Sequence, residues 1–197
     1  MEKEYMEKIL VISRKKLFDD MFFEGFKREK ITYYLGIIKK NSIFMKRSFV
    51  ENDPDYKQII PYIIIKFRNK YFMFQRLPVG LEDRLFHKYS VGIGGHINEK
   101  DLRNNKDLIN SGLEREFNEE LIYGRKLNYK IMGLINDDFD NVGKVHFGIV
   151  YLVEIDNPDI KIRENSRMKG RLVDKEYLLK YKDKMERWSQ ILVENLL

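Results

Sequence analysis

The alternation of hydrophobic and polar segments along the chain predicts a set of short β-strands. Tyr62–Phe67 (YIIIKF) and Tyr71–Gln75 (YFMFQ) are rich in β-branched and aromatic residues. A three-residue polar turn joins them, so the two runs predict a β-hairpin. Ile131–Ile135 and Val145–Glu154 predict two more strands, separated by an acidic loop.

A different periodicity begins near residue 106. Over 106–121 (KDLINSGLEREFNEEL), hydrophobic residues recur every four positions, the spacing of one face of an α-helix: Ile109, Leu113, Phe117 and Leu121. Asp174–Leu197 also shows helical spacing and predicts one or two closing helices, with Trp188 in the packed face. Strands around a central helix, followed by terminal helices, predict an α/β sandwich with a mixed sheet.

Three glutamates lie on one edge of the apolar stripe of the predicted helix. Glu116, Glu119 and Glu120 are spaced i, i+3 and i+4, and like charges at this spacing each weaken a helix by roughly 0.2–0.5 kcal/mol. The cluster suits a hard divalent cation, because Mg²⁺ binds a few carboxylates and completes its octahedron with water and phosphate oxygens. Upstream, Gly92–Gly95 (GIGG) supplies backbone that can approach a ligand closely.

These residues resemble the Nudix box, whose pattern is G-x5-E-x7-R-E-U-x-E-E-x-G-U, with U a bulky aliphatic residue. Arg115–Glu120 (REFNEE) matches R-E-U-x-E-E, and Gly95 matches the opening glycine. The resemblance implies an α/β/α sandwich in which a loop–helix–loop holds Mg²⁺ or Mn²⁺ for hydrolysis of a diphosphate linked to a group X. Carried over by position, it implies that the metal ligands are Glu116, Glu119, Glu120 and the carbonyl of Gly95.

The resemblance also implies that Arg115 orients the carboxylates, and Glu119 is the leading candidate for the general base. Two departures from the box are visible. Gly95 and Arg115 are six residues further apart than in the family, so either Asp101 or Asp107 fills the first acidic position. We expect the extra residues to form an outward loop between residues 98 and 105, with Asp107 at the helix start.

The second departure follows the box, where Gly124 comes two positions later than the family's glycine. The wider pattern, with Asp55–Tyr62 before the hairpin and Gly92–Asn98 after it, is similar to a branch of MutT-like proteins regarded as phosphoesterases. That likeness implies no particular substrate.

Further candidates lie outside the box. Arg76 and Arg84 flank the loop before the glycines and could bind phosphates bidentately, although surface solvation is the commoner fate of such residues. His96 follows the glycines and could contact substrate or pack within its loop. Asp138, in the acidic loop, could add a carboxylate to the metal ions or act as a base, although most acidic loops are solvated turns.

Composition excludes several classes of site. The chain has no cysteine, which rules out disulfides, thiolate nucleophiles and iron–sulfur clusters, and also an isopentenyl diphosphate isomerase, which needs a catalytic cysteine. The net charge of +6 fits an anionic small substrate. It is weak support, because the absence of alanine and the abundance of Ile, Lys and Asn indicate AT-rich coding bias. No apolar run approaches the roughly 18 residues of a membrane span and the N-terminus is unlike a signal peptide, so we expect a soluble, cytoplasmic protein.

We expect one domain over residues 1–197, with an N-terminal extension (1–57), a Nudix core (58–156) and a C-terminal helical segment (157–197). The expected function is a divalent-metal-dependent hydrolase of a small, nucleotide-derived diphosphate. It would need neither a nucleic acid nor a membrane, and a homodimer is compatible with it. The alternative is a catalytically silent Nudix-fold module that senses a ligand or binds nucleic acid; the intact carboxylate triplet argues against it.

Overall fold

The protein's structure, a computed structural model, describes residues 7–19, 21–77, 88–104, 107–164 and 168–196. The strands in these ranges are β1 (Lys8–Ser13), β2 (Gly25–Lys27), β3 (Ile43–Lys46), β4 (Tyr56–Phe67), β5 (Lys70–Arg76), β6 (Tyr89–Ser90), β7 (Gly92–Gly94), β8 (Leu121–Ile122), β9 (Tyr129–Asn136), β10 (His146–Glu154), β11 (Lys161–Ile162) and β12 (Met168–Val173). The α-helices are α1 (Arg14–Phe18), α2 (Ile31–Asn41), α3 (Arg47–Val50), α4 (Leu108–Glu120), α5 (Asn141–Val145), α6 (Lys175–Tyr181) and α7 (Arg187–Leu196).

The chain divides into two compact units and passes between them several times. The first unit comprises Met1–Pro61, Gly95–Leu113 and Met132–Val150. The second comprises Tyr62–Gly94, Glu114–Ile131 and Tyr151–Leu197. Our expectation of a single domain stays a prediction.

The first unit is built on antiparallel pairs and an aromatic core. Strand β1 pairs with both β3 and β4, and β2 pairs with β9. Phe23 lies at the centre of a ring cluster, with edge contacts to Phe18, Tyr34 and Phe147 at 5.4–6.2 Å between centroids. The rings bring α1 and α2 together with β10, so residues of the predicted extension supply much of this core.

The second unit contains the predicted hairpin. Lys66 pairs with Tyr71 and Phe67 with Lys70, so β4 and β5 confirm the expected hairpin, with Arg68 in the left-handed region at a φ of 53°. Strand β12 adds to the other edge of β5, β6 pairs with β5, and β7 pairs with β4. Met73, Val91, Val173, Leu178, Met185 and Val193 form a buried cluster, under α6 and α7.

The predicted α/β fold class is confirmed. Ten of the described strands form one mixed sheet, in which β10 lies between β4 and β9, and β8 and β11 form a separate two-stranded sheet. Strands β11 and β12 lie in the segment expected to be helical. The sequence does not predict them, because strands of two and six residues leave little periodic signal. In the part of the chain that the structure describes, every helix is too short or too polar to cross a membrane.

The segment before α4 differs from the expected outward loop. Residues Glu99–Asn104 form a 3₁₀-helix, in which the buried Asp101 accepts a hydrogen bond from the backbone N–H of Asn98 at 2.9 Å. A Cβ at Gly112 of α4 would lie 3.3 Å from Asp101 Oδ2, so the 3₁₀-helix packs closely on α4. The loop expectation is therefore wrong here. Asp107 lies at the helix start as expected, accepting from the N–H groups of Ile109 and Asn110.

Replacing Gly92 with alanine should destabilise the protein. A Cβ at Gly92 would lie 1.9 Å from Cε1 of Tyr62, whose hydroxyl is held by Ser90, Ser189 and Glu186, so the ring has little freedom to move. We expect Gly92→Ala to lower the free energy of unfolding by at least about 2 kcal/mol in urea titrations. Gly36→Ala is the control, because Gly36 lies inside α2 with open space around it. That variant should be stabilised by about 0.5–1 kcal/mol; equal effects of the two changes would contradict the packing argument.

Candidate metal centre

Helix α4 presents the predicted glutamates beside a buried stripe. Leu113, Phe117 and Leu121 are fully buried, as the four-residue spacing requires. Burial of this stripe offsets the like-charge repulsion along the helix, because a fully buried leucine or phenylalanine contributes about 1.5–3 kcal/mol. The sequence therefore folds as a helix although its carboxylates repel one another.

Arg115 joins two of the three glutamates. Its Nη1 donates to Glu116 Oε1 at 2.8 Å and to Glu119 Oε2 at 2.9 Å. The Glu116 side chain is 12% exposed, whereas that of Glu119 is 58% exposed. One guanidinium thus contacts an inner and an outer carboxylate; the orienting role that the resemblance implies for Arg115 stays a prediction.

The charge on Glu116 is only partly compensated. Burial raises the pKa of Glu116 to about 7; Glu119 and Glu120 act in the same direction, and Arg115 acts against them. A buried carboxylate near two others is stabilised in its ionised form by a further positive charge. Carboxylate oxygens are also the ligands that Mg²⁺ and Mn²⁺ prefer. The donor chemistry of α4 therefore fits a divalent cation.

The described residues do not bring three candidate metal ligands together. Within residues 7–19, 21–77, 88–104, 107–164 and 168–196, no three His, Asp or Glu side chains converge closely enough to hold a metal ion. Gly95 follows β7 and belongs to the first unit, whereas the glutamates of α4 belong to the second. Metal ligation by Glu116, Glu119, Glu120 and Gly95 stays a prediction.

A second polar cluster lies in the first unit, around a lysine that the sequence analysis did not single out. Lys57 is fully buried, and its Nζ donates to Asp138 Oδ1 at 2.7 Å and to the carbonyls of Gly143 and His146 at 2.9 and 3.2 Å. Arg14 donates to both oxygens of Asp138. Asp138, a candidate substrate residue, is thus held between two cations of its own chain.

Electrostatics in this cluster follow from burial and pairing. Desolvation lowers the pKa of Lys57 to about 8, although its contact with Asp138 favours the charged form. Burial alone would raise the pKa of Asp138, but hydrogen bonds from Arg14 and Lys57 outweigh it and lower that pKa. The sequence signal for Lys57 was weak, since the residue stands between Tyr56 and Gln58, just before the hydrophobic run Ile59–Ile65. Its burial is what requires a partner for its charge.

His96 belongs to a chain of hydrogen bonds in the same unit. Its Nε2 lies 2.6 Å from Gln58 Oε1 and 3.3 Å from Nε2 of His146. Nδ1 of His146 lies 2.6 Å from the carbonyl of Val142, so this nitrogen carries the proton and Nε2 is the acceptor. His96 Nε2–H is consequently the donor to both neighbours.

Two arginine candidates from the sequence remain, Arg76 and Arg84. Arg76, at the end of β5, places its guanidinium 5.5 Å from the ring centroid of Phe74. Arg84 lies outside the described residues. Asp140, two residues after Asp138 in the acidic loop, caps α5 by accepting from the N–H groups of Val142 and Gly143, a structural role.

Two proteins with more than 30% identity match almost the whole chain. Protein YmaB of Bacillus subtilis (strain 168) is 33% identical over 201 residues, covering 96% of this chain and 97% of that protein. The crystal structure of Tm1382, a candidate Nudix hydrolase, is 32% identical and covers 97% of this chain and 98% of that chain, with a TM-score of 0.80. The chain belongs to the Nudix superfamily.

The Nudix fold also recurs at lower identity. A bifunctional NMN adenylyltransferase/ADP ribose pyrophosphatase from Francisella tularensis, complexed with AMP and a manganese ion, is 14% identical with a TM-score of 0.51, over 71% of this chain and 41% of that chain. At this identity the likeness concerns the fold. No family model matches the chain.

Replacing Asp138 with asparagine should destabilise the protein. The change leaves the buried ammonium of Lys57 without its carboxylate, a loss of about 3 kcal/mol in the free energy of unfolding, measured by urea titration. Asp159→Asn is the control, because it alters an exposed ion pair with Lys161 and should change stability by less than about 1 kcal/mol. Unchanged stability with a raised KM would instead show that Asp138 serves substrate.

Replacing Glu116 with glutamine should stabilise the metal-free protein in a pH-dependent way. The pKa of Glu116 lies near 7 in the folded state, above the ordinary 4.5. The folded state therefore binds this proton more tightly than the unfolded state does. The stability that the bound proton provides is lost as pH rises from about 4.5 to about 7. In EDTA at pH 8, we expect the free energy of unfolding of Glu116→Gln to exceed that of the parent by at most about 3 kcal/mol. At pH 5 the two free energies should differ little.

The control for the pH experiment is Glu154→Gln, which alters an exposed carboxylate that pairs with Lys130 and lies outside the glutamate cluster of α4. Its stability relative to the parent should be similar at pH 5 and pH 8. A pH-independent effect of Glu116→Gln would show that burial does not perturb Glu116.

Proposed function

We propose that this chain is a divalent-metal-dependent pyrophosphohydrolase that cleaves a diphosphate linkage in a nucleotide or a related nucleoside diphosphate-X. The observation that carries the proposal is the carboxylate face of α4, where Arg115 bridges Glu116 and Glu119 while the pKa of Glu116 is raised to about 7. Membership of the Nudix superfamily supports it. The proposed site of action is the cytoplasm.

The proposed ligands of Mg²⁺ or Mn²⁺ are the carboxylates of Glu116, Glu119 and Glu120 and the carbonyl of Gly95. When bound, the ion would neutralise diphosphate oxygens and activate the attacking water. The Francisella protein, which shares the fold, is complexed with manganese and AMP, and this supports the choice of ion and of nucleotide chemistry.

The residues of α4 would have separate roles in the reaction. Glu119 is the most exposed of the Arg115-bound carboxylates and can accept the proton of the water that attacks phosphorus. Water adds to phosphorus as the bridging P–O bond breaks, and the leaving phosphate takes the bonding pair. Arg115 holds Glu116 and Glu119 in place during this exchange, and Glu116 remains enclosed.

Substrate contacts would come from outside the helix. Arg76 and Arg84 are proposed phosphate contacts, and His96 a contact near the glycine loop. Asp138 is the weakest candidate, since both of its oxygens already accept from Arg14. The proposal needs neither a nucleic acid nor a membrane, and includes a homodimer as a state compatible with the family.

Glu119→Gln and Glu120→Gln should each abolish turnover while leaving the fold intact. Each change keeps the side-chain shape and removes one charge, so we expect hydrolysis to fall at least about 100-fold. The measurement is phosphate or nucleoside monophosphate release across a panel of nucleoside diphosphate derivatives, with and without Mg²⁺ or Mn²⁺. If both variants hydrolysed a confirmed substrate as fast as the parent at saturating Mg²⁺, the site assignment would be wrong.

Phe117→Ala is the matched scaffold variant on the same helix. Phe117 is fully buried, so its truncation should cost roughly 3–5 kcal/mol of stability.

A parent protein that binds nucleotides without releasing product, with any metal, would favour the silent ligand-sensing module instead.

A further inference from the structure

Helix α4 ends without the glycine that usually closes such a helix. Ile122 occupies the position two after Glu120, and the glycine follows at Gly124, with a φ of +69°. The chain instead enters β8 directly at Leu121. The last carbonyl groups of α4 therefore need other partners.

Arg163 supplies two of these partners. Its backbone N–H donates to the carbonyl of Glu120 at 2.9 Å, and its Nε donates to the carbonyl of Asn118 at 2.8 Å. The preceding residues of β11 pair with β8, Ile162 opposite Leu121 and Lys161 opposite Ile122. The turn that holds Glu119 and Glu120 is thus fixed by a segment more than 40 residues later in the chain.

We propose that Arg163 is a positioning residue for the carboxylates of α4. It holds the last helical turn in place of a glycine cap, and so sets where Glu119 and Glu120 lie relative to Glu116. Its positive charge also lies at the helix C-terminus, where the backbone dipole favours cations. This inference rests on the proposed metal site, whose ligands it orients without touching the ion.

The test is Mn²⁺ binding, followed by the electron paramagnetic resonance signal of the free ion. Arg163→Met keeps side-chain length but removes the Nε donor and the charge. It should weaken Mn²⁺ affinity about tenfold, the lower end of the effect of losing an outer-shell contact at a metal site. Arg125→Met is the matched control in the same unit, since Arg125 pairs with the exposed Asp156. It should bind Mn²⁺ like the parent.

Two further readouts separate positioning from general destabilisation. In metal-free protein, the amides of 118–122 should exchange about tenfold faster in Arg163→Met, with the exchange of β4 and β5 unchanged. At saturating Mn²⁺, kcat should return to within twofold of the parent. Arg163→Lys, which keeps a donor and a charge, should recover at least half of the affinity loss on a logarithmic scale.

The outcomes distinguish failure of this inference from failure of the proposed function. If the parent binds Mn²⁺ and Arg163→Met binds it equally well, the positioning role is overturned and the proposed function stands. If Arg125→Met weakens binding as much as Arg163→Met, or Arg163→Lys is as weak as Arg163→Met, the role is overturned too. If the parent itself binds no Mn²⁺, the proposed function fails and the inference with it.

Discussion

One guanidinium nitrogen of Arg115 reaches two of the three glutamates of α4, and the rest of the candidate site depends on that contact. Without it, Glu116 would be a nearly enclosed carboxylate facing two like charges on a helix whose hydrophobic stripe must stay buried. The contact leaves the balance incomplete, since the pKa of Glu116 is still raised to about 7. An incompletely compensated carboxylate is a poor contributor to stability and a suitable ligand for a cation.

The polar cluster of the first unit shows the opposite balance. There the buried Lys57 and the neighbouring Arg14 share one carboxylate, Asp138, and the lysine also donates to two backbone carbonyls. Every polar group named in that arrangement has a partner, so the cluster fixes the start of β4 and the turn around α5 rather than leaving charge available for a ligand. The two clusters therefore differ in how fully their buried charges are compensated.

Local patterns made the hairpin of β4 and β5 and the helix α4 predictable, because β-branched runs and four-residue spacing act over short stretches of sequence. The same spacing placed Phe117 in the core and the glutamates on its edge. The partners of Lys57 and the bond from Arg163 to Asn118 were not predictable, since they join residues more than 40 positions apart and only the folded chain brings them together. The 3₁₀-helix over Glu99–Asn104 was missed for a related reason: its stability comes from packing against α4, which a polar sequence does not reveal.

The glycine-rich pattern favours close approach of the backbone to a ligand at Gly92, yet the space that a side chain there would fill is already occupied by the ring of Tyr62. The two positions consequently restrict each other's choice of amino acid. Related chains that carry alanine or a larger residue at the position of Gly92 should carry a smaller residue than tyrosine opposite it. They would then also lack the hydroxyl that joins Ser189 and Glu186 at the start of α7. Amino-acid changes at positions 62 and 92 should therefore be accompanied by changes at the start of α7, because all of these residues meet in one crowded contact.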